Sequence, residues 1–273
     1  MASALPAFTP VEESLYLTLA GRALDSRAPN PVLGDTASAE IVRQIGYDLA
    51  DFPMPSSKSF DIALRTKMLD DVVRGVVARH PDAVVLDLGA GLDPRSSRID
   101  APHTTDWYAI DFTEVIKVRR ETMPTRPNEH GIAADLTDPH WLDEVPGDRP
   151  AVIVADGLVA FLADADFSAL LNRLTSHFPS GEVAFNTYPK FAVWAIKHFR
   201  GTRSIADLVR NSGFDDPRDP ERWDPDLELV EEIFATRMPE VAQTPLLTRV
   251  LSRLASRSAA VSRKGTAVLR YRF

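Results

Sequence analysis

Four short apolar runs in the middle of the chain each lead into an acidic residue. Val84-Val85-Leu86-Asp87-Leu88 runs into Gly89-Ala90-Gly91-Leu92-Asp93, and Trp107-Tyr108-Ala109-Ile110 ends at Asp111. Gly131-Ile132-Ala133-Ala134 ends at Asp135-Leu136, and Ala151-Val152-Ile153-Val154-Ala155 at Asp156-Gly157. Carboxylates repeated at strand ends make a site at the carboxyl edge of one sheet. They suit a ligand with hydroxyls and amines better than a pyrophosphate. Gly89 and Gly91 let the first loop pass close under such a ligand, because glycine has no Cβ to collide with it. Gly-x-Gly alone is a weak signal. The dinucleotide fingerprint wants a third glycine where the next helix opens, and this chain has Pro94 there, after Asp93. An adenosyl ligand without phosphates is favoured over a nicotinamide dinucleotide. A tight turn with no ligand is the plain alternative.

Asp111 follows Gly89 by about twenty residues, where a carboxylate can accept from both ribose hydroxyls. It equally suits the start of a helix at Phe112-Thr113-Glu114, and one residue can do both. Asp135-Leu136 can meet an adenine amino group and ring nitrogen, or simply close the turn before Thr137-Asp138-Pro139. Arg65 lies on a helix face other than that of Leu69 and Val72, and a surface arginine is its default reading. Six histidines are scattered, none at i,i+4 and none paired with an acid at metal spacing, so no metal is expected. Hydrolase and phosphoryl-transfer motifs are absent, and no catalytic residue is identified. Arg95, Arg98, Arg119 and Arg120 read as solvated helix charges.

These residues need elements to hold them. Strands are expected at 83–88, 107–111, 130–134, 151–155 and 181–186, with helices at 112–122, 138–145 and 164–178. This alternation predicts a doubly wound parallel sheet of the α/β class. Before it, Thr9 or Thr18 can start one helix. Asp35-Thr36 can cap a second carrying Ile41, Ile45 and Leu49, and Ser59 precedes a third with Ile62, Leu69, Val72, Val73, Val76 and Val77 on its buried side. After Asn186 two helices are expected, at 188–199 and 205–211. A proline- and acid-rich segment follows, then strands at 227–234 and 266–273 around a helix near 246–257. The expected division is a helical cap and cover over 1–80 and a core over 81–273, with a lid at 187–226.

The chain has 273 residues, 44% of them hydrophobic, enough to bury roughly 70–75% of its unfolded surface. Lys and Arg number 31 against 39 Asp and Glu, a net charge of −8, so nucleic acid is a poor partner. There is no cysteine, which removes disulfides, thiolate metal sites and cysteine nucleophiles and fits a reducing cytoplasm. Neither a secretory signal nor a membrane span is expected.

Taken in order, Arg65-Thr66-Lys67 with Asp70, the run Val85 to Arg95 with Arg98, Trp107 to Arg119, Ala134-Asp135-Leu136 with Trp141, and Val154 to Leu158 with Phe161-Leu162 resemble the leucine carboxyl methyltransferase family. Gly213-Phe214, Trp223-Asp224-Pro225 and Leu229 to Glu232 are similar to the late segment of its bacterial branch, which holds O-methyltransferases of polyketide biosynthesis.

The resemblance implies a Rossmann-like class I methyltransferase fold, with a seven-stranded, mostly parallel sheet whose last strand is antiparallel. It has a helical N-terminal cap and a lid inserted between strands five and six. It implies S-adenosyl-L-methionine as cofactor, S-adenosyl-L-homocysteine as product, and a carboxylate or hydroxyl of a small molecule as acceptor. Arg65 would pair with the donor's carboxylate, and Gly89-Ala90-Gly91 would pass under its methionine part. Asp111 would hold the ribose, Asp135 and Leu136 the adenine, and Asp156-Gly157 would lie near the donor's amino group.

Arg22, Phe161, Tyr188 and Trp194 are the acceptor-side candidates, with Arg22, Arg95 or Arg98 to hold an anion. Three departures bear on the acceptor. Asp156 stands for a glutamate, Phe161 for a tyrosine and Asn186 for an aspartate. A carboxylic acid with pKa near ~4 is ionised at neutral pH, whereas a phenol near ~10 needs a base, so the missing base leans toward a carboxylate. The competing readings are a degenerate methyltransferase acting as a partner or regulator, and a nicotinamide-dependent oxidoreductase. A small-molecule acceptor is expected as partner, with no nucleic acid and no membrane. The oligomeric state is open.

Overall fold

The computed structural model describes residues 8–49, 54–124, 126–198 and 206–273. Helix α1 (Pro10–Asp25) opens on a reciprocal capping box. Thr9 Oγ1 accepts from the Glu12 N–H at 3.4 Å, and Glu12 Oε2 accepts from the Thr9 N–H at 2.6 Å. Helix α2 (Thr36–Gln44) starts at Asp35, which accepts from the Ser38 N–H at 3.1 Å. Ile41 and Ile45 are buried and Leu49 packs beside them, as their spacing requires.

Helix α3 (Ser56–Arg79) begins earlier than Ser59. Pro55 sets the entry at φ −59°, and Ser59, already inside the helix, donates to the Gly21 carbonyl at 2.8 Å. That bond ties α3 to α1 where they cross. A Cβ on Gly21 would lie 2.6 Å from Ile62 Cδ1, so the crossing needs glycine.

The sheet comprises β1 (Val84–Leu88), β2 (Asp106–Asp111), β3 (Glu129–Ala133), β4 (Ala151–Ala155), β5 (Gly181–Asn186), β6 (Glu228–Phe234) and β7 (Ala267–Arg272), in the order β3-β2-β1-β4-β5-β7-β6. The first five are parallel, and β7 slots antiparallel between β5 and β6. Strand period decides the two faces. Val85, Val152, Val154, Ala184 and Val268 meet α3 through Leu64, Met68, Leu69, Val73 and Val77. The next helices are α4 (Arg95–Arg98), α5 (Thr113–Thr122) and α6 (Asp164–His177). Leu86, Ile153, Phe185 and Leu269 meet α6 through Phe167, Leu170, Leu171 and Leu174.

Two expected helices differ. Residues 138–145 give only a 3-10 helix, His140–Glu144. Residue 205 lies outside the described residues, and 207–211 form turn and irregular backbone rather than a helix. The N–H groups of Arg210 and Asn211 there donate to the Ala160 carbonyl. Within the expected lid, α7 is Lys190–His198 and a short helix spans Asp219–Trp223.

Candidate functional site

Strands β2 and β4 leave β1 on opposite sides, so their following loops diverge and open a crevice at the carboxyl edge. A cavity of about 750 Å³ lies there. The loops after β1 to β5 form its floor and sides, while α1 and α3 close it from the N-terminal part of the chain.

Gly89 and Gly91 adopt φ +60° and +50°. A Cβ on Gly89 would lie 3.0 Å from Leu158 Cδ1, so the turn needs glycine for conformation and for space. The loop is held from outside by Arg119, whose Nη1 donates to the carbonyls of Gly91 and Asp93, each at 2.9 Å. Asp111 holds it from inside. Its Oδ2 accepts from the Gly91 N–H and its Oδ1 from the Phe112 N–H, both at 2.7 Å. Burial raises the Asp111 pKa, and these two backbone donors work against the rise.

Arg65 Nε lies 2.5 Å from Asp156 Oδ1 without hydrogen-bond alignment, and its terminal Nη groups make no hydrogen bond among the described residues. Burial pulls the Arg65 pKa down, while Asp156, Tyr188 and Asp61 more than reverse it, so the guanidinium stays charged. Asp156 Oδ2 accepts from Thr66 Oγ1 at 3.0 Å. The shorter carboxylate therefore still reaches its partners. Asn186, buried at the end of β5, accepts from the Gly157 N–H at 2.7 Å, a bond an aspartate would also make but with a charge. Asp135 accepts from the backbone and hydroxyl of Thr137 at 2.9 and 2.8 Å, closing the turn that leaves Leu136 on the wall.

Arg65, Gly89, Ala90, Gly91, Asp111, Asp135, Leu136, Asp156 and Gly157 thus share one cavity wall, together with Arg22, Phe161 and Tyr188. Trp194 does not join them. Ala192 and Ile196 turn toward the cavity, and Trp194 lies on the other side of α7, half exposed and stacked on Phe191 and His198 at 5.8 and 4.9 Å.

The arginines offered for an anion, Arg22, Arg95 and Arg98, are committed elsewhere. Arg95 is fully buried, with Asp93, Asp87 and Asp70 at 3.0, 3.3 and 3.4 Å. Arg98 pairs with Asp35, Asp70 and Asp93, each at 2.8 Å. Arg22 faces Asp35 and Asp93 and donates to the Leu92 carbonyl. Arg95, Arg98 and Arg119 are therefore not solvated charges, whereas Arg120 is exposed as expected. Burial pushes the Asp87 carboxyl up to about 7, with Arg95 opposing it, while the arginines hold Asp93 far below the usual carboxylate range against its burial.

Sequence reasoning missed Lys58 and Asp61, although their spacing to Arg65 puts all three on one helix face. It also missed Arg210 and the loop Lys264-Gly265-Thr266, which reaches the wall only because β7 lies beside β5. Thr266 Oγ1 donates to Asp61 Oδ1 at 2.6 Å. None of the six histidines lines the cavity.

This sheet order and carboxyl-edge cavity define a Rossmann-like α/β methyltransferase. A putative methyltransferase from Thermobifida fusca shares the fold, with a TM-score of 0.57 over 92% of this chain and 93% of that one at 15% identity. The leucine carboxyl methyltransferase family model matches residues 16–175. The chain is 37% identical over 224 residues to the tetracenomycin polyketide synthesis O-methyltransferase TcmP of Streptomyces glaucescens, covering 82% of this chain and 83% of that protein. It is 32% identical over 251 residues to the S-adenosyl-L-methionine-dependent methyltransferase dpfgK of Gibberella zeae, covering 83% of each. The chain belongs to the leucine carboxyl methyltransferase family and is an S-adenosyl-L-methionine-dependent methyltransferase.

The nicotinamide reading falls with this result. The physical reason is visible after Gly91, where the helix is a single turn, Arg95–Arg98, and Asp93 occupies its approach. The adenosyl donor fits the residues present. The glycine turn leaves room beneath it, and the free Nη groups of Arg65 suit a carboxylate.

Proposed function

We propose that the enzyme O-methylates a carboxylate of a small, polyketide-type acceptor in the cytoplasm. The observation that carries this is the state of the cations around the cavity. Lys58, Arg210 and Lys264 line it and make no ion pair or side-chain hydrogen bond among the described residues, whereas Arg22, Arg65 and Arg95 are all paired. Unpaired cations beside a cavity favour an anionic ligand. The absence of histidine from the wall agrees, because a carboxylate is already ionised and needs no base. The polyketide class is inferred from the similarity to TcmP.

S-adenosyl-L-methionine, when bound, supplies the electrophilic sulfonium methyl. The chain's own residues bind and orient. In this reading Arg65 takes the donor's carboxylate, Asp111 accepts from the ribose hydroxyls, and Asp135 with Leu136 receives the adenine. The Gly89–Gly91 turn would run beneath the donor, and Asp156 and Gly157 would lie near its amino group. Phe161 and Tyr188 flank the acceptor, and Lys58, Arg210 and Lys264 hold its carboxylate. In the same reading the described parts of the 1–80 cap and of the 187–226 lid would cover the site. Alignment of this kind is worth up to roughly 7–11 kcal/mol without any proton transfer.

The test is methyl transfer from radiolabelled donor in producer-cell extract. A methyl ester releases its label as methanol in mild alkali. An alkali-stable product, with turnover abolished in Asp61→Asn, would move the reaction to a hydroxyl and make Asp61 its base.

A further inference from the structure

The helix Leu246–Ala255 is built inside out. Leu246, Leu247, Val250, Leu251 and Leu254 follow the i, i+3/i+4, i+7 spacing of one apolar stripe. Each is between 42% and 71% exposed, and no residue of the helix is buried. Arg249, Ser252 and Ala255 are its half-buried residues. Its attachment is polar, with Ser262 Oγ donating to the Ala255 carbonyl at 3.0 Å and Arg237 Nε to the Ser256 carbonyl at 3.2 Å. A contiguous aliphatic face turned to water marks an interaction surface.

We infer that this face is the interface of a symmetric homodimer in which two copies of the helix pack antiparallel. A single aliphatic ridge with this spacing is the surface a second helix packs against. A twofold axis near Val250 and Leu251 sets Leu247 of one copy against Leu254 of the other, so one stripe complements itself. The five side chains present on the order of 500 Å² per copy, so a pair hides about 1,000 Å², the size at which specific association begins. Val261, 49% exposed on the adjoining turn of helix, extends the patch.

Residues 241–273 contain seven Lys or Arg and no Asp or Glu. In the antiparallel pair Arg253 and Arg257 of each copy lie on the C-terminal side of the axis, toward opposite ends of the pair, while Arg249, nearer the axis, is half-buried. The same basic face suits an anionic bilayer. Against that occupant stand the net charge of −8 and the lack of any aromatic residue in the helix. The helix leads through Ala259–Ser262 into Lys264-Gly265-Thr266 on the cavity wall, so the dimer braces the loop beside the acceptor.

The experiment is sedimentation equilibrium of the full chain over a range of concentrations. The expected species is a dimer of 30.1 kDa chains. Leu247→Glu with Leu251→Glu, both at exposed positions, should give a monomer with the parent's circular dichroism and S-adenosylhomocysteine affinity. Because the chain has no cysteine, Leu251→Cys offers an independent check, since oxidation should link two copies, while Lys117→Cys on a remote helix should not. A parent that is monomeric throughout, or a double variant that stays dimeric, overturns the proposal. A monomeric parent that co-sediments with phosphatidylglycerol vesicles, lost in the double variant, overturns it in favour of the bilayer.

Discussion

Asp111 has two structural tasks before it meets a ligand, and they shape how its removal reads out. Its two oxygens accept from the Gly91 and Phe112 N–H groups at 2.7 Å each. A carboxylate offers about four acceptor sites, so two remain for the ribose hydroxyls. Asp111→Ala should remove charged hydrogen bonds to the ligand worth about 1.5–3 kcal/mol, or roughly 10- to 150-fold in Kd. It also strands two backbone donors, at ~1–3 kcal/mol for each that water cannot reach. A thermodynamic cycle separates these effects. Calorimetry would compare S-adenosylhomocysteine with its 2′,3′-dideoxyribose analogue in the parent and in Asp111→Ala. The parent should prefer the natural ligand by the ribose contribution, and the variant should bind both alike. Asp111→Asn, which keeps one neutral acceptor oxygen, should fall between. If Asp111→Ala discriminates between the two ligands as strongly as the parent, the ribose is held elsewhere and Asp111 only shapes the glycine loop.

Arg65→Ala should weaken S-adenosylmethionine binding while barely changing that of methylthioadenosine, which lacks the carboxylate. Equal losses by calorimetry would show that the guanidinium matters only as the ion-pair partner of Asp156. Gly89→Ala forces a side chain into the left-handed region, at about 1–2 kcal/mol, and presses Leu158; thermal denaturation should show a fall of roughly 2–4 °C. An unchanged midpoint would mean that the loop relaxes freely. Asp87 predicts a pH dependence with a definite sign. Its folded pKa of about 7 exceeds the unfolded value of ~3.9, so its contribution to stability is full below that lower value and is lost as pH rises through 7. From about pH 6 to about pH 8 the loss is roughly 1.4 kcal/mol, or about 2–3 °C in Tm. Asp87→Asn should flatten this slope, and a parent Tm that climbs over the same range refutes the assignment.

The ends of β1 to β4 were legible because a buried strand is a local object. An apolar run, a period of two and a terminating acid lie within a few residues, so Asp87, Asp111, Asp135 and Asp156 could be assigned to one sheet edge. The capping box of Thr9 and Glu12 is local in the same way. Charge pairing is not. Arg22 donates to Leu92 seventy residues away, and Arg95 meets Asp70, Asp87 and Asp156, so residues that looked free to bind an anion are neutralised inside the protein. Side-chain type shows that a charge exists, and only packing shows what faces it.

The same limit explains the acceptor side. The phase of α7 puts Ala192 and Ile196 on the cavity and turns Trp194 away. Lys264 and Thr266 arrive because β7 enters between β5 and β6, bringing Thr266 to Asp61 across 205 positions. By itself the sequence determined the fold class, the strand ends and the carboxylates at the sheet's carboxyl edge, since these follow from neighbours a few residues apart. The tertiary structure alone decided which cations remain unpaired at the site among the described residues and which apolar face was left in water, because both depend on segments distant in the chain meeting in space.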